Sequence, residues 1–380
     1  MLGAIALIAL GYIVVSYVFF LFPRLLHKPK LVTQMPVHIS HRGGAGERIE
    51  NTLRAFQNAV ELGTDMLELD CHLTKDGEVV ILHDGNLKRS TGVNVDVSEV
   101  NYAELPQYLP KLEVQFHPGH FSHAKSPSDR KILRLFDLFT SFPHTPMNID
   151  IKVDDDRLIN KVGNMIREFH REKFTIWGSF SAKTCAKLKA ANPAVPCFFP
   201  LDSVLRLFTY YVFGLLPFMP ITYEYLELPL VAASNYPESA TATGLNRIKM
   251  KVMLWLMDFL LCSPRLYCHL KARGVPVFFW VCNTEEDFSA AFRLGAQAVM
   301  TDYPSRLRSY LRSRQTRRQK SGETSTDTLC RNGNSIYDGA RQLNKLFSPL
   351  SPLPIARAAC RPPPPSGLTS NCSEWCVVGD

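Results

Sequence analysis

The sequence predicts an α/β protein: a (β/α)8 TIM barrel with an N-terminal transmembrane anchor and a disordered C-terminal tail. Three observations carry this. Strand-like apolar runs alternate with helical patterns along most of the chain. Residues 1–22 hold no charged side chain, and about 20 apolar residues suffice to cross a bilayer. Beyond Leu311 the composition turns basic, then Ser/Thr-rich, then proline-rich, and such segments cannot bury a core.

The elements follow in order. The stretch 1–22 reads as an uncleaved anchor, because it has no basic leading region and no small-residue cleavage site at its exit, Pro23-Arg24-Leu25-Leu26-His27-Lys28. Arg24, Lys28 and Lys30 follow it, so the positive-inside tendency puts the remainder on the cytosolic side. Strand candidates then fall at 37–42, 66–73, 79–83, 147–152, 174–179, 196–199, 277–282 and 298–301. Helical patterns lie between many of them, notably 52–62, 157–169, 182–191 and 285–294. Eight strands with interleaved helices favour a barrel over 37–311, and no nucleotide-type glycine fingerprint favours an open sheet.

Two stretches interrupt the alternation: a polar insertion at 85–145 and an apolar excursion at 201–250. Within the excursion, 204–220 is apolar and aromatic, broken only by Arg206. A second span there would split the barrel across the bilayer, and the return candidate at 252–262 is short and holds Asp258. An interfacial or re-entrant patch, or a lid over a lipid-binding mouth, is favoured over plain buried core.

The chain has 380 residues, 46% of them hydrophobic, enough for one large domain or two smaller ones. Its net charge of +8 is concentrated in the run Arg306, Arg308, Arg312, Arg314, Arg317, Arg318 and Lys320. The near-neutral remainder argues against a nucleic-acid-binding face, and nothing implies a protein partner. The basic run suits anionic lipid headgroups as well as plain solvent. Asn371-Cys372-Ser373 is a glycosylation sequon, relevant only to a luminal tail. Ten cysteines at scattered spacings indicate neither a zinc site nor a disulfide framework.

The chemistry concentrates early. Glu68 and Asp70 lie two apart on a strand, so both point to one face and Leu69 and Cys71 to the other. Two converging carboxylates repel each other, and a divalent cation offsets this. Asn148, Asp150 and Lys152 repeat the pattern on another strand, so that Asp150 completes an oxygen-rich site for Mg²⁺ or Ca²⁺ and Lys152 is placed to meet a phosphate. A single pair of this kind would be a structural ion pair; two sets inside one barrel are costly without partners.

His41 and His83 each end a strand run, at the rim where barrel active sites form, and supply a general acid–base pair. Arg42 offers a planar cationic fork to phosphate oxygens. Gly43-Gly44 let backbone approach a ligand. Glu50 is expected to cap a helix or stand behind the metal ligands. His117, His120 and His123 read as a loop cluster, since Pro118-Gly119 exclude a helix that would align them. Asp154-Asp155-Asp156 reads as a helix cap. Trp280 is core or a substrate-facing wall, and Asp302 anchors the rim.

Together these motifs resemble the glycerophosphodiester phosphodiesterase family. The resemblance rests on His41-Arg42-Gly43-Gly44, Glu50-Asn51-Thr52, Glu68-Leu69-Asp70 and His83-Asp84 with Leu87, Arg89 and Thr91. It extends through Ile149-Asp150-Ile151-Lys152, Trp280-Val281-Cys282-Asn283 and Thr301-Asp302-Tyr303-Pro304. The anchor and the apolar excursion look like the membrane-bound subgroup with lysophospholipase D activity. The resemblance implies a TIM barrel and a divalent cation, Mg²⁺ or Ca²⁺, held by Glu68, Asp70 and Asp150. It implies His41 and His83 as the acid–base pair, His83 also within reach of the metal, and Arg42 and Lys152 on the phosphate.

Many members carry Glu where Asp150 stands, which puts the preferred metal in question. The implied substrate is a lysophospholipid, cleaved to lysophosphatidic acid and a free head-group alcohol; soluble diesters such as glycerophosphocholine are the alternative. A catalytically silent membrane-binding barrel is the remote alternative. The nucleophile is water or the free glycerol 2-hydroxyl, the latter giving a cyclic phosphate. The implied setting is the endoplasmic reticulum or another intracellular membrane.

Overall fold

The computed structural model describes residues 2–230 and 261–321. The apolar N-terminus forms α1 (Leu2–Leu21), 20 residues of mean hydropathy 2.5, the one helix among the described residues long and apolar enough to cross a membrane. Next come β1 (His38–Ser40), α2 (Leu53–Glu61), β2 (Met66–Leu73) and β3 (Val79–Ile81). The insertion holds α3 (Lys88–Thr91), the hairpin β4 (Lys111–Glu113) and β5 (Phe121–His123), then β6 (Leu133–Arg134) and α4 (Leu135–Ser141). Alternation resumes with β7 (Met147–Ile151), α5 (Asp156–Glu168), β8 (Thr175–Gly178), α6 (Ala182–Ala191), α7 (Leu201–Val212) and β9 (Leu226–Pro229). The described chain ends with α8 (Pro264–Ala272), β10 (Val277–Trp280), α9 (Glu285–Leu294), β11 (Ala298–Thr301) and α10 (Pro304–Ser321).

The helices start where their capping residues predict. Thr52, Asp155, Ser181 and Thr284 each accept backbone N–H groups of the first turn. Parallel ladders join β9 to β10, β10 to β11, β11 to β1, β1 to β2, β2 to β7 and β7 to β8. Two isolated parallel bridges, Trp177 to Cys197 and Phe198 to Tyr225, continue the run between β8 and β9.

The strand census differs from the structure in membership. The run at 79–83 was counted among the parallel eight, but β3 pairs antiparallel with the far end of β2 and belongs to the insertion, where it also pairs with β6. The strand that takes its place, β9, was missed inside the excursion. Its Leu-Glu-Leu-Pro sequence sits directly behind an apolar helix and gives little alternation to detect.

The tail boundary also moves. α10 continues through the basic run to Ser321, ten residues beyond Leu311, where the barrel was expected to end. The sequon at Asn371, the proline-rich run at 361–365 and most of the 252–262 stretch lie outside the described residues.

Two apolar layers flank the parallel strands. Outward-facing Leu69, Cys71, Ile149 and Ile151 pack against the helices with Phe56, Leu158 and Val162. A second cluster draws one or two residues from successive strands: Ile39, Met66, Ile176, Phe198, Tyr225, Phe278, Ala298 and Met300. Because side chains alternate, the next residues on that same face are His41, Glu68, Gly178, Trp280 and Asp302. The apolar layer is the floor, and the site lies above it at the carboxyl ends of the strands.

Candidate active site

The sequence brings Glu68 and Asp70 onto one face of β2, and the β2–β7 register sets Glu68 opposite Asn148 and Asp70 opposite Asp150. His41 and Arg42 follow β1 in a tight turn. Arg42 adopts φ +49, and Gly43 and Gly44 continue with φ +76 and +96. A positive φ at arginine is uncommon and costs free energy; here it aims the Arg42 backbone N–H at Glu68 Oε2, 2.8 Å away. Both glycines are required by packing. A Cβ on Gly43 would lie 2.9 Å from the Phe56 ring, and one on Gly44 2.8 Å from Pro304.

One pocket is lined by His41, Arg42, Glu68, Asp70, His83, Asp150 and Lys152. Phe116, Phe180, Phe198, Leu201, Val204, Leu228 and Trp280 line the same cavity, so it has a charged half and an apolar half. Glu50 is buried and stands outside the lining. It holds Arg42 through two contacts of 3.3 Å and pairs with Arg89. Burial alone would raise the Glu50 carboxyl, but Arg42 and then Arg89 hold it below the usual carboxylate range.

Lys152 Nζ lies 2.8 Å from Asp70 Oδ1 and 2.6 Å from Asp150 Oδ2. Against the upward push of burial, Lys152 and Arg42 pull the Asp70 carboxyl far below its ordinary value. Glu68 goes the other way, because burial and neighbouring Asp70 both favour its protonated form. Burial also outweighs Lys152 at Asp150 and raises it. The cations present therefore do not fully compensate the three carboxyls. Asp150 Oδ1, Asn148 Oδ1 and Asn51 Oδ1 are buried without a hydrogen-bond donor. An oxygen-rich, charge-deficient set of this kind fits a hard divalent cation. Among the described residues no three His, Cys, Asp or Glu side chains are already spaced as a metal cage.

Each histidine is held by a carboxylate. His41 Nδ1 lies 2.6 Å from Asp302 Oδ1, and His83 Nδ1 lies 2.7 Å from Asp84 Oδ1. Burial would raise Asp302, but His41 and Asn283 keep it an anion. An anion at Nδ1 fixes the proton there and leaves His41 Nε2, 3.9 Å from Glu68 Oε2, with its lone pair. Burial outweighs Asp302 and holds the His41 pKa below its ordinary value, so the ring is neutral. Asp84 is held down to about 2, burial being overcome by His83 and Arg89.

Several contributors were not singled out from the sequence. Asn51, at φ +58, donates to Asp70 Oδ2 at 3.0 Å. Asn283 donates to Asp302 Oδ2 at 2.9 Å and accepts from the Asp302 backbone N–H at 3.0 Å. Phe116 comes from the insertion, packs edge-on to His41 and Trp280, and lies 5.9 Å from the Arg42 guanidinium. Glu227, on the missed strand, is half-buried beside Asn148, and desolvation pushes its carboxyl up to about 8. Asn51 and Asn283 stood in the sequence motifs without a role; Phe116 and Glu227 left no signal. In the histidine loop, His117 Nδ1 meets the Tyr303 hydroxyl at 2.7 Å and its ring stacks on His120. His123 lies on β5, opposite Lys111.

The chain is 45% identical over 304 residues to the Homo sapiens protein named lysophospholipase D GDPD1, a match covering 79% of this chain and 94% of that one. It is 43% identical over 310 residues to the Homo sapiens lysophospholipase D GDPD3, covering 80% and 95%. Among solved structures, a putative glycerophosphoryl diester phosphodiesterase from Silicibacter pomeroyi DSS-3 shares the fold with a TM-score of 0.55 at 20% identity, covering 77% of this chain and 96% of that one. The profile of the Glycerophosphoryl diester phosphodiesterase family matches residues 41–306, from the first histidine of the pocket to the start of α10. On this match and these identities, the chain belongs to the glycerophosphoryl diester phosphodiesterase family.

Proposed function

We propose that this protein is a membrane-anchored phosphodiesterase that hydrolyses lysophospholipids to lysophosphatidic acid and a free head-group alcohol. The observation that carries the reading is the two-sided pocket, with a phosphodiester-sized set of charges against a wall of Phe116, Phe180, Leu201, Val204 and Trp280. The names of the relatives at 45% and 43% identity support it. The parallel run, continued by the bridges at Cys197 and Phe198, supports a closed eight-stranded barrel. The length and apolarity of α1 support an anchor. Arg24, Lys28 and Lys30 favour a barrel on the cytosolic side of the endoplasmic reticulum or another intracellular membrane.

Glu68, Asp70 and Asp150 would hold Mg²⁺ or Ca²⁺, with His83 in reach. When bound, the cation supplies Lewis-acid polarisation of the phosphoryl group. Arg42 and Lys152 neutralise the phosphate oxygens. His41 Nε2 takes the proton from the nucleophile, water or the free glycerol 2-hydroxyl, while Asp302 stabilises the imidazolium that forms. As the bond from phosphorus to the head-group oxygen breaks, His83 delivers a proton to that oxygen. Afterwards His41 holds one proton more and His83 one fewer. With water as nucleophile, solvent exchange restores both; with the 2-hydroxyl, water then opens the cyclic phosphate to lysophosphatidic acid, His83 taking the proton of the water and His41 returning its proton to the 2-oxygen, which restores both.

The test incubates full-length protein in detergent with lysophosphatidylcholine and, separately, with glycerophosphocholine, under Mg²⁺ and then Ca²⁺, and measures choline. Preference for the lysolipid, with His41→Ala and His83→Ala each slowing release by about 10²–10⁴-fold, is the expected result. Parent-like activity of His41→Ala overturns the site, and preference for glycerophosphocholine overturns the substrate class.

A further inference from the structure

α1 is more than a tether. Its only buried residue is Ser16, and its C-terminal half packs on the segment that follows α7. Phe19 meets Phe218 edge-on at 5.8 Å, and Phe20 lies 5.6 Å from Tyr211. Deeper along the helix, Ser16 Oγ donates to the Gly214 carbonyl and the Tyr12 hydroxyl donates to the Phe213 carbonyl. Tyr12 and Ser16 stand one turn apart on a single face of an otherwise apolar helix. Glycine at 214 permits this approach, since a Cβ there would lie 2.8 Å from Ser16 Oγ.

These contacts set a depth. A helix rises about 1.5 Å per residue, so Ser16 and Tyr12 lie roughly 8 and 14 Å inside the Leu21 end. The 20 residues of α1 match the roughly 30 Å hydrocarbon core. When α1 crosses the bilayer, the turn at Phe213 and Gly214 is therefore carried into the same leaflet. The segment is suited to that place. No charged residue occurs from Leu207 to Tyr223, Val212 and Phe213 are 59% and 65% exposed, and the exposed charges of α7, Asp202 and Arg206, lie in its N-terminal half, toward the pocket. Unpaired carbonyls are costly in hydrocarbon, and those of the turn are met: Phe213 and Gly214 by α1, Leu216 and Met219 by Arg273, and Pro217 by His27. At its other end α7 presents Leu201 and Val204 to the catalytic pocket.

We propose that the C-terminal half of α7, from Leu207, and its turn form a re-entrant wedge in the leaflet that α1 enters, with Asp202 and Arg206 held at the headgroup level, and that lysolipid passes from the bilayer along α7 into the pocket. The proposal rests on the reading of α1 as a span and of the substrate as a lysolipid. Its occupant is the hydrocarbon of a phospholipid leaflet, chosen because the exposed face of α7 is continuous with the apolar surface of α1.

The test reconstitutes the full chain into phosphatidylcholine vesicles carrying radiolabelled lipid, with a photoreactive phenylalanine analogue at position 8 in α1 or at position 213. Lipid adducts at both positions are expected. An adduct at 8 and none at 213 overturns the wedge and leaves the anchor standing. No adduct at either position overturns the anchor and the wedge together. A kinetic arm uses Phe213→Glu. Turnover of long-chain lysophosphatidylcholine in vesicles should fall about tenfold or more, because a carboxylate is excluded from hydrocarbon. Turnover of a short-chain lysolipid below its micelle concentration should stay within about twofold of the parent, because that dissolved substrate reaches the pocket without entering through the wedge. Equal loss on both substrates, or on neither, refutes delivery along α7. A parent inactive on both overturns the lysolipid substrate class and, with it, delivery along α7, while leaving the crosslinking result for the wedge.

Discussion

Replacing Asp302 by Asn probes the group that holds His41 in its working tautomer. The carboxylate is 1% exposed, contacts His41 Nδ1 at 2.6 Å and is itself oriented by Asn283. Asparagine keeps the shape, removes the charge and can present an N–H where an acceptor is required. A hydrogen bond to a charged partner is worth about 1.5–3 kcal/mol. At 1.36 kcal/mol per tenfold, kcat should fall by roughly 10- to 150-fold. Asp302 is absent from the pocket lining, so KM should change little. Asp302 also raises the His41 pKa against burial. Without that anion the imidazole stays neutral to lower pH, and the acid limb of kcat/KM should shift downward. The assay is choline release from lysophosphatidylcholine across pH, with melting curves to confirm folding. A variant with kcat within twofold of the parent and an unmoved acid limb would refute the argument.

Two further perturbations follow from burial. Glu50→Ala leaves the Arg42 and Arg89 guanidiniums without their shared carboxylate. Breaking a buried pair costs about 3–5 kcal/mol, so the melting temperature should drop by roughly 6–15 °C, and a drop below about 3 °C would contradict the pairing. Acid stability should track His38 and His269, each lowered to about 4 chiefly by burial. Below an unfolded pKa of about 6.5 the unfolded chain binds a proton that these folded rings refuse, so stability falls as pH drops from 6.5 toward 4. The loss is on the order of 2–3 kcal/mol for each ring. His269 accompanies Phe20 of α1, its ring stacked at 4.7 Å. His269→Gln should flatten the melting-temperature profile between pH 6.5 and 4.5, and an unchanged slope would rule out His269 as a source.

The parts of the site that were legible share one property: the relevant partner is nearby in sequence. Glu68 and Asp70, or Asn148 and Asp150, declare a common face because a strand alternates with period two. The Thr52 and Asp155 caps are likewise local. The clearest failures are non-local. Whether Val79–Ile81 runs parallel or antiparallel depends on its neighbour β2, and nothing in Val-Val-Ile encodes that direction. Asp302 was read as a rim anchor, but its pairing with a histidine 261 positions away exists only once β11 lies beside β1.

By itself the sequence determined the strand–helix alternation, the polar faces of the catalytic strands, the uncharged first helix and the identity of the charged residues that meet in the pocket. Periodicity, capping and composition act over a few residues, so they survive in one dimension. Tertiary structure alone decided that β9 joins the parallel run beside β10, that Lys152 sits between Asp70 and Asp150, and that Phe116 packs edge-on against His41. It also decided that Tyr12 and Ser16 meet the turn after α7. Each of these is a contact between distant segments, and their closeness arises from burying the two apolar layers on either face of the sheet.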